Sequence, residues 1–163
     1  MLMKKKQSAL VLAGICILFM AAMFLFSNQP YKEQDMRPEL EKLVHLDANT
    51  LPKIEFYYGG ALVTSTLPYD FIEFWIRKSC HVAEYAVCTL LILLTLRTVL
   101  VPVRFAVPAG FLASFFYANF DEWHQSFVSG RTGHFIDVIT FDSFGILIGV
   151  CLFLWFTRRK KSR

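Results

Sequence analysis

The chain has 163 residues, of which 55% are hydrophobic, and its mean hydropathy is positive. This composition excludes an ordinary soluble domain of this size, and the length indicates a single domain over residues 1–163. The formal net charge of +4 does not indicate nucleic-acid binding, because the basic residues are distributed around apolar segments and do not form one patch.

Four apolar segments predict membrane-spanning helices, each of which needs about 20 residues. The predicted spans are residues 8–26, 79–96, 105–125 and 137–156. The first is the clearest because it carries no charge. We expect it to be kept as a helix, since it is longer than the apolar region of a signal peptide and ends in large residues. The third is the weakest, because its uncharged part, residues 105–120, is short.

Charged residues in the connecting segments predict the orientation of the chain. Basic residues accumulate on the cytoplasmic side of membrane proteins. With the N-terminus inside, every charged residue of the inner segments is basic. These residues are Lys4, Lys5, Lys6, Arg97, Arg104, Arg158, Arg159, Lys160, Lys161 and Arg163. The outer segment 27–78 has more acidic than basic residues. We therefore predict an all-α, multi-pass membrane protein, a four-helix transmembrane bundle with both termini cytoplasmic.

The outer segment predicts a small folded layer above the bundle. Residues 38–46 begin with a proline and acids and place apolar residues at helical spacing, which predicts a short amphipathic helix. Two β-prone runs, 54–58 and 61–64, flank a pair of glycines and predict a hairpin. Residues 71–78 predict an interfacial helix that precedes the second span. We expect these extracellular elements to form a lid over the outer ends of the helices.

Polar residues follow one face of the second predicted span. His81, Glu84 and Tyr85 are three or four residues apart, and Lys78 lies about one turn earlier. Ionisable residues cost about 2.5–3.5 kcal/mol each at the centre of a bilayer, so they tend to face protein or water. The stripe therefore points into the bundle from its outer boundary, or it belongs to an interfacial helix start whose polar groups contact lipid head groups.

Acids and an amide mark the end of the third predicted span. Asp121 and Gln125 are four residues apart, with Glu122 beside them, whereas His124 is expected to face solvent. These groups either form a site or are the solvated end of a helix. The following loop carries Arg131 near two glycines. Its guanidinium is expected either to pair with the neighbouring acids or to bind a phosphate or carboxylate.

Two aspartates mark the start of the fourth predicted span. Asp137 is either a helix N-cap or part of a site. On a regular helix Asp137 and Asp142 are roughly 140° apart, so they share a face only if the helix begins after Asp137 or contains a bulge. Further along, Gly145 and Gly149 form a GxxxG pattern, which predicts close packing against another helix.

These polar residues together predict one pocket at the outer face of the bundle. The candidate acid or base residues are Glu84, Asp121, Glu122 and Asp142, and the candidate ligand-binding residues are Lys78, His81, Tyr85, Gln125, Arg131 and Asp137. A buried carboxyl group can serve as a general acid or base. Acids beside a histidine are also typical of a divalent-cation site, although the sequence identifies neither the ion nor any other cofactor.

The order of these motifs resembles the VanZ-like family of small bacterial integral membrane proteins. The motifs are Lys78-x2-His81-x3-Tyr85, Asp121-Glu122-x2-Gln125-x4-Gly130-Arg131, and Asp137 followed by Gly145 and Gly149, within residues 54–150. The resemblance implies residence in the bacterial cell membrane. It also implies, through the protein after which the family is named, a link to resistance against teicoplanin-type glycopeptides. Two positions depart from the family pattern: Ser129 replaces a proline, and Asp142 follows Asp137 by five residues instead of four.

Three kinds of function are compatible with this pattern. The first is a site that binds or modifies an outer-leaflet head group, such as that of a lipid-linked cell-wall precursor, with Arg131, Lys78 and His81 holding the phosphate. The second is a non-catalytic membrane protein whose polar cluster is a structural salt-bridge network. The third, a small transporter, is disfavoured because the inner halves of the spans carry no ionisable residue. Membrane lipids, such a precursor or the glycopeptide are the expected partners, and whether the protein is an enzyme stays open.

Overall fold

The computed structural model describes residues 2–161, with side chains for residues 7–159. In chain order the elements are α1 (Leu2–Ser27), a 3-10 turn (Tyr31–Glu33), α2 (Arg37–Leu43), β1 (Glu55–Tyr58), β2 (Ala61–Thr64), α3 (Pro68–Thr98), α4 (Val103–Gln125), α5 (Phe135–Asp137), a π-helical segment (Val138–Asp142) and α6 (Ser143–Lys161). The last three follow one another without interruption and form the fourth long helix.

Three helices in the described part of the chain are long and apolar enough to cross a membrane. They cover Gln7–Ser27, Pro68–Thr98 and Phe135–Arg159, and they correspond to the first, second and fourth predicted spans. α4 covers the third predicted span but is less apolar, because it contains Asp121 and Glu122 near one end and Arg104 near the other. Its crossing of the membrane therefore stays a prediction.

The second predicted span is the later part of a helix that is longer than expected. α3 begins at Pro68, in the first helical turn, where proline is favoured. Neither proline nor glycine interrupts it before Thr98. The helix predicted at 71–78 is present, but it is not separate from the second span, since these residues belong to the first turns of the same helix. α2 ends at Leu43 and is shorter than predicted.

α3 lies at the centre of the helix packing, with α1, α4 and α6 against it. The GxxxG prediction is confirmed, because a Cβ atom on Gly145 would lie 2.3 Å from the Val82 carbonyl oxygen, and one on Gly149 would lie 2.6 Å from that of Ala86. The two helix backbones therefore touch. On its other side α3 is linked to α4 by a buried hydrogen bond from the Thr89 hydroxyl to Ser114 Oγ, 2.8 Å long.

Large apolar side chains cover the outside of the helices. Examples on α1, α4 and the fourth long helix are Leu18, Phe116 and Phe144, which are 72%, 68% and 59% exposed. Water-exposed apolar surface on this scale is rare in soluble monomers. Lipid acyl chains, in contrast, are as apolar as these side chains, so a bilayer would cover this surface without cost.

Two strands in the described part of the outer segment form an antiparallel hairpin, with Phe56 paired to Val63. Gly59 and Gly60 connect them with φ angles of +57° and +84°, as a two-residue turn with both central residues in the left-handed region requires. The hairpin packs on α3 through the Phe56 ring, which contacts Phe74 edge-on. A hairpin alone is marginal in water, and this contact supplies its support.

Candidate functional site

A polar cavity of about 390 Å³ lies where α1 and α4 end, beside the middle of α3. Its walls come from three parts of the chain that are distant in sequence. The polar lining residues are Ser27, Gln29, Gln34, Arg77, His81, Glu84, Asp121, Gln125 and Arg131. The cavity therefore combines two guanidinium groups, two carboxyl groups and an imidazole in a protein whose outer surface is apolar.

Five of the ten predicted site residues line this cavity: His81, Glu84, Asp121, Gln125 and Arg131. The other five lie around it. Glu122, Asp137 and Asp142 are buried, as is Tyr85, which belongs to the apolar core, and Lys78 is half-buried in an ion pair. The ten residues predicted to share one site are therefore of two kinds: five line the cavity, and five lie around it.

The π-helical segment brings the two aspartates of the fourth long helix to the same side. The Ser143 hydroxyl donates to the carbonyl of Val138, five residues back, at 2.6 Å. Because a π-helical turn has an i to i+5 repeat, Asp137 and Asp142 both face α3. Asp137 pairs with Lys78, and Asp142 Oδ1 lies 3.1 Å from Nδ1 of His81. The bulge that the sequence required for a shared face is therefore present.

Lys78 and Asp137 anchor the hairpin to the bundle. Asp137 Oδ1 accepts hydrogen bonds from Lys78 and from the Tyr58 hydroxyl of β1, the latter at 2.8 Å. The Lys78 ammonium also lies over the rings of Tyr58 and Phe74, at 5.1 and 5.4 Å from their centroids. Burial raises the pKa of Tyr58, so the phenol remains a donor. These contacts indicate a structural role for both residues.

Glu122 and Asp121 are held by different neighbours. Glu122 Oε2 accepts a hydrogen bond from the backbone amide of His134 at 2.8 Å, and Asp121 Oδ2 accepts one from the Gln125 amide at 2.8 Å. The loop can approach Glu122 because residue 133 is glycine. A Cβ atom there would lie 1.9 Å from the Glu122 carbonyl oxygen.

Arg131 caps the end of α1. Its Nη1 donates to the carbonyls of Ser27 at 2.8 Å and Phe26 at 3.3 Å. A cation at a helix C-terminus satisfies carbonyls that lack intrahelical partners. Among the described side chains it forms no ion pair with an acid, so the predicted pairing with its acidic neighbours is not present. Burial lowers the pKa of Arg131.

The prediction that His124 faces solvent is wrong. Its ring lies 4.4 Å from that of Phe24 on α1 and is half-buried between that ring and Phe120. The reason is the position of α1, which covers the face of α4 that the sequence left open.

Residues 28–36, here called the strap, cross the cavity and were missed by sequence reasoning. Tyr31 fixes the strap to α3 and to the loop after α4, since its hydroxyl donates to Glu73 at 3.1 Å and its amide to the Ser129 carbonyl at 3.3 Å. Gln34 donates to the Phe26 carbonyl at 2.6 Å. Burial and the nearby Glu73 carboxyl raise the pKa of Tyr31 to about 12. The sequence of the strap has no periodic apolar pattern from which its position could have been predicted.

The strap is also fixed at its far end, by Arg37. The Arg37 guanidinium contacts Asp35 at 2.7 Å and Asp70 on α3 at 2.9 Å. The hydrogen bonds from Arg37 hold the pKa of Asp35 at about 2. This strap lines the cavity, whereas no hairpin residue does, so a lid formed by the hairpin stays a prediction.

Buried polar atoms near the cavity that have no hydrogen-bond partner among the described residues include Ser27 Oγ, Asp121 Oδ1, Asp142 Oδ2 and the Tyr85 hydroxyl oxygen. In addition, one ligand atom from each of His81, Glu122 and Asp142 lies within 4.8 Å of the others. Buried polar groups without a partner are few in native proteins, and each calls for water, an ion or a ligand.

Comparison with known proteins identifies the family. The VanZ/LLP1 family model matches residues 12–157, which cover the cavity and most of each of the four long helices. Neither the curated proteins nor the solved structures include a significant match. With this match over most of its length and with its apolar helices, the chain belongs to the VanZ/LLP1 family and is a membrane protein.

Proposed function

We propose that this protein binds the anionic head group of a membrane lipid in its polar cavity. In this proposal the protein crosses the bacterial cell membrane four times with both termini cytoplasmic. The cavity then opens at the exoplasmic side, where lipid-linked cell-wall precursors are found. Capture of such a lipid would change the cell surface and lower the sensitivity of the cell to teicoplanin-type glycopeptides.

The observation that carries the proposal is an apolar groove next to the cavity on α3. The groove, of about 480 Å³, lies along α3 and is lined mainly by Leu51, Phe71, Ile72, Trp75, Ile76 and Ala83. Cys80 lines both the groove and the cavity. An amphipathic molecule fits this arrangement, because its head group would meet polar side chains while its chain lies on an apolar surface.

The charges in the cavity favour an anionic head group. Arg77 and Arg131 both line it, and guanidinium groups bind phosphate through two parallel hydrogen bonds. Glu84 and Asp121 also line the cavity and are the carboxyl groups available there to exchange a proton with a bound head group. Binding is therefore the core of the proposal, and modification of the head group is an extension of it.

Lipid binding to the purified protein tests the proposal. Native mass spectrometry from detergent would compare an anionic lipid such as phosphatidylglycerol, a polyprenyl phosphate and zwitterionic phosphatidylcholine. We expect phosphatidylglycerol and the polyprenyl phosphate, which carry a net negative charge, to be retained in preference to phosphatidylcholine. Arg77→Gln and Arg131→Gln should each weaken retention by about tenfold or more, since a hydrogen bond to a charged group contributes about 1.5–3 kcal/mol.

Arg104→Gln is the matched control, because Arg104 is exposed at the other end of α4. Membrane levels of each variant report whether it folds. Equal retention of all three lipids, or retention unchanged in both arginine variants at normal membrane levels, contradicts the proposal. In cells, the same variants should raise teicoplanin sensitivity if the glycopeptide phenotype depends on this cavity.

Part of the polar cluster supports a second, structural role. The Lys78–Asp137–Tyr58 contacts join the hairpin to the helices and do not line the cavity. Replacement of Asp137 by Asn should therefore reduce membrane abundance while lipid selectivity of the remaining folded protein is unchanged. Loss of lipid selectivity at normal abundance would instead place Asp137 in the ligand site.

A further inference from the structure

We infer that His81, Glu122 and Asp142 bind one divalent transition-metal cation, Zn²⁺ or Mn²⁺, beside the polar cavity. The three residues come from α3, α4 and the π-helical segment. One ring nitrogen of His81 and one carboxylate oxygen from each acid lie within 4.8 Å of one another. Ligands that are each about 2.1 Å from one tetrahedrally coordinated ion are about 3.4 Å apart, so the side chains approach one another by up to about 1.4 Å when the site is filled.

The burial of the two acids is the second, independent observation. Asp142 is 0% exposed and Glu122 is 4% exposed. Among the described side chains neither has a lysine or arginine within 4.0 Å, and Asp142 Oδ2 has no hydrogen-bond partner. Carboxylates in such surroundings are paired or coordinate a metal. A divalent ion would neutralise both charges and give Asp142 a partner.

The surroundings of the three residues fit a metal site. The His134 amide donates to Oε2 of Glu122, and a ligand carboxylate is commonly oriented by such a hydrogen bond. Lys78, the nearest described cation along α3, is engaged by Asp137 and does not compete for Asp142. One imidazole with two carboxylates favours Zn²⁺ or Mn²⁺ over Mg²⁺ and Ca²⁺, which prefer oxygen ligands throughout.

The site also connects to the cavity, because His81 lines it. Three protein ligands leave at least one coordination position for another group. An ion here would therefore attract an anionic oxygen of a bound molecule, in addition to Arg77 and Arg131. This role toward a head group rests on the proposed function, whereas the metal site itself does not.

Metal binding by the full chain without added lipid tests the inference. The protein would be purified in detergent with a histidine-free tag, treated with chelator, and titrated with Zn²⁺, Mn²⁺, Mg²⁺ and Ca²⁺. We expect one Zn²⁺ or Mn²⁺ per chain, measured by elemental analysis and by the electron paramagnetic resonance signal of bound Mn²⁺. Asp142→Asn and His81→Gln should each weaken binding by at least about tenfold.

Glu73→Gln is the matched control, because Glu73 is a buried acid that lies outside the cluster and also has an unpartnered oxygen. It should bind the ion like the unchanged protein. The inference is overturned if the unchanged protein binds no stoichiometric ion, or if Asp142→Asn and His81→Gln bind it equally well. Lipid retention measured with and without chelator separates the metal site from the proposed function. Lipid binding that persists after the metal is removed supports lipid binding in the cavity without a role for the metal.

Discussion

At the scale of single residues, position in the sequence does not reveal which partner a polar side chain has. Arg131 and Asp137 both belong to the polar motifs, yet Arg131 binds backbone carbonyls of α1 and Asp137 binds a lysine and a tyrosine. Arg131 also lines the cavity. The same side chain therefore stabilises the end of α1 and forms part of the cavity wall.

Arg131→Gln should lower the thermal stability of the protein as well as lipid retention. The variant loses a charged donor to Phe26 and Ser27, which corresponds to about 1.5–3 kcal/mol. Thermal unfolding in detergent, followed by circular dichroism, measures the change. An unfolding temperature equal to that of the unchanged protein would show that this cap contributes nothing.

Asp35 gives a pH-dependent prediction for the strap. Arg37 lowers the pKa of Asp35 from 3.8 to about 2. A group whose pKa is lower in the folded state contributes stability above its unfolded pKa and loses it as the pH falls toward the folded value. Protection of the strap amides should therefore be full above pH 4 and decrease toward pH 2.

Hydrogen exchange of residues 31–36, corrected for the intrinsic rate at each pH, measures that protection. Asp35→Asn should exchange faster than the unchanged protein at neutral pH and should lose the transition. Protection that is independent of pH down to 2, or unchanged in Asp35→Asn, would show that the Asp35–Arg37 contact does not hold the strap.

At the scale of elements, the close contact between α3 and α6 depends on glycine. We compare Gly145→Ala with Gly14→Ala. A Cβ atom at Gly145 meets the Val82 backbone, whereas one at Gly14 meets no atom within 4 Å. Gly145→Ala should destabilise by about 1–3 kcal/mol through overpacking. Gly14→Ala should stabilise by about 0.5–1 kcal/mol, because alanine is the better helix former.

Thermal unfolding of the two variants side by side checks this prediction. Opposite changes in the unfolding temperature support the contact. Equal changes would show that α6 does not lie this close to α3.

The π-helical segment illustrates how far element prediction reached. From the five-residue spacing of Asp137 and Asp142, the two side chains were predicted to share a helix face only if the helix started after Asp137 or contained a bulge. The structure has the bulge, because both aspartates find partners on α3 in this way. The lengths of the apolar runs also predicted the three apolar helices, and two β-prone runs around a pair of glycines predicted the hairpin. The helix predicted at 71–78 is continuous with the second span, because the composition changes there without any residue that ends a helix.

At the scale of the whole molecule, the number of membrane crossings decides where the cavity opens. The crossing of α4 is the one that determines this number, because α4 is less apolar than the three helices that are long and apolar enough to cross. We expect a C-terminal fusion to green fluorescent protein to be fluorescent and one to alkaline phosphatase to be inactive, because the basic C-terminal segment is predicted to be cytoplasmic. Alkaline phosphatase fused at Asn49, in the predicted exoplasmic segment, should be active.

The opposite result for the C-terminal fusions would mean three crossings. Fusions at Arg104 provide the internal control, since this residue is predicted to lie on the same side as both termini. With three crossings, α4 would not separate Arg104 from Arg131, and the exoplasmic position of the cavity would need revision.

The sequence alone determined the membrane character, the long helices and the family motifs, because these depend on local composition and spacing. The tertiary structure decided which polar residues share the cavity, which anchor the hairpin, and that a strap covers the site. Contacts such as Tyr58 with Asp137 join residues 79 positions apart. Such partners depend on the rotation and packing of whole helices, which no local pattern records.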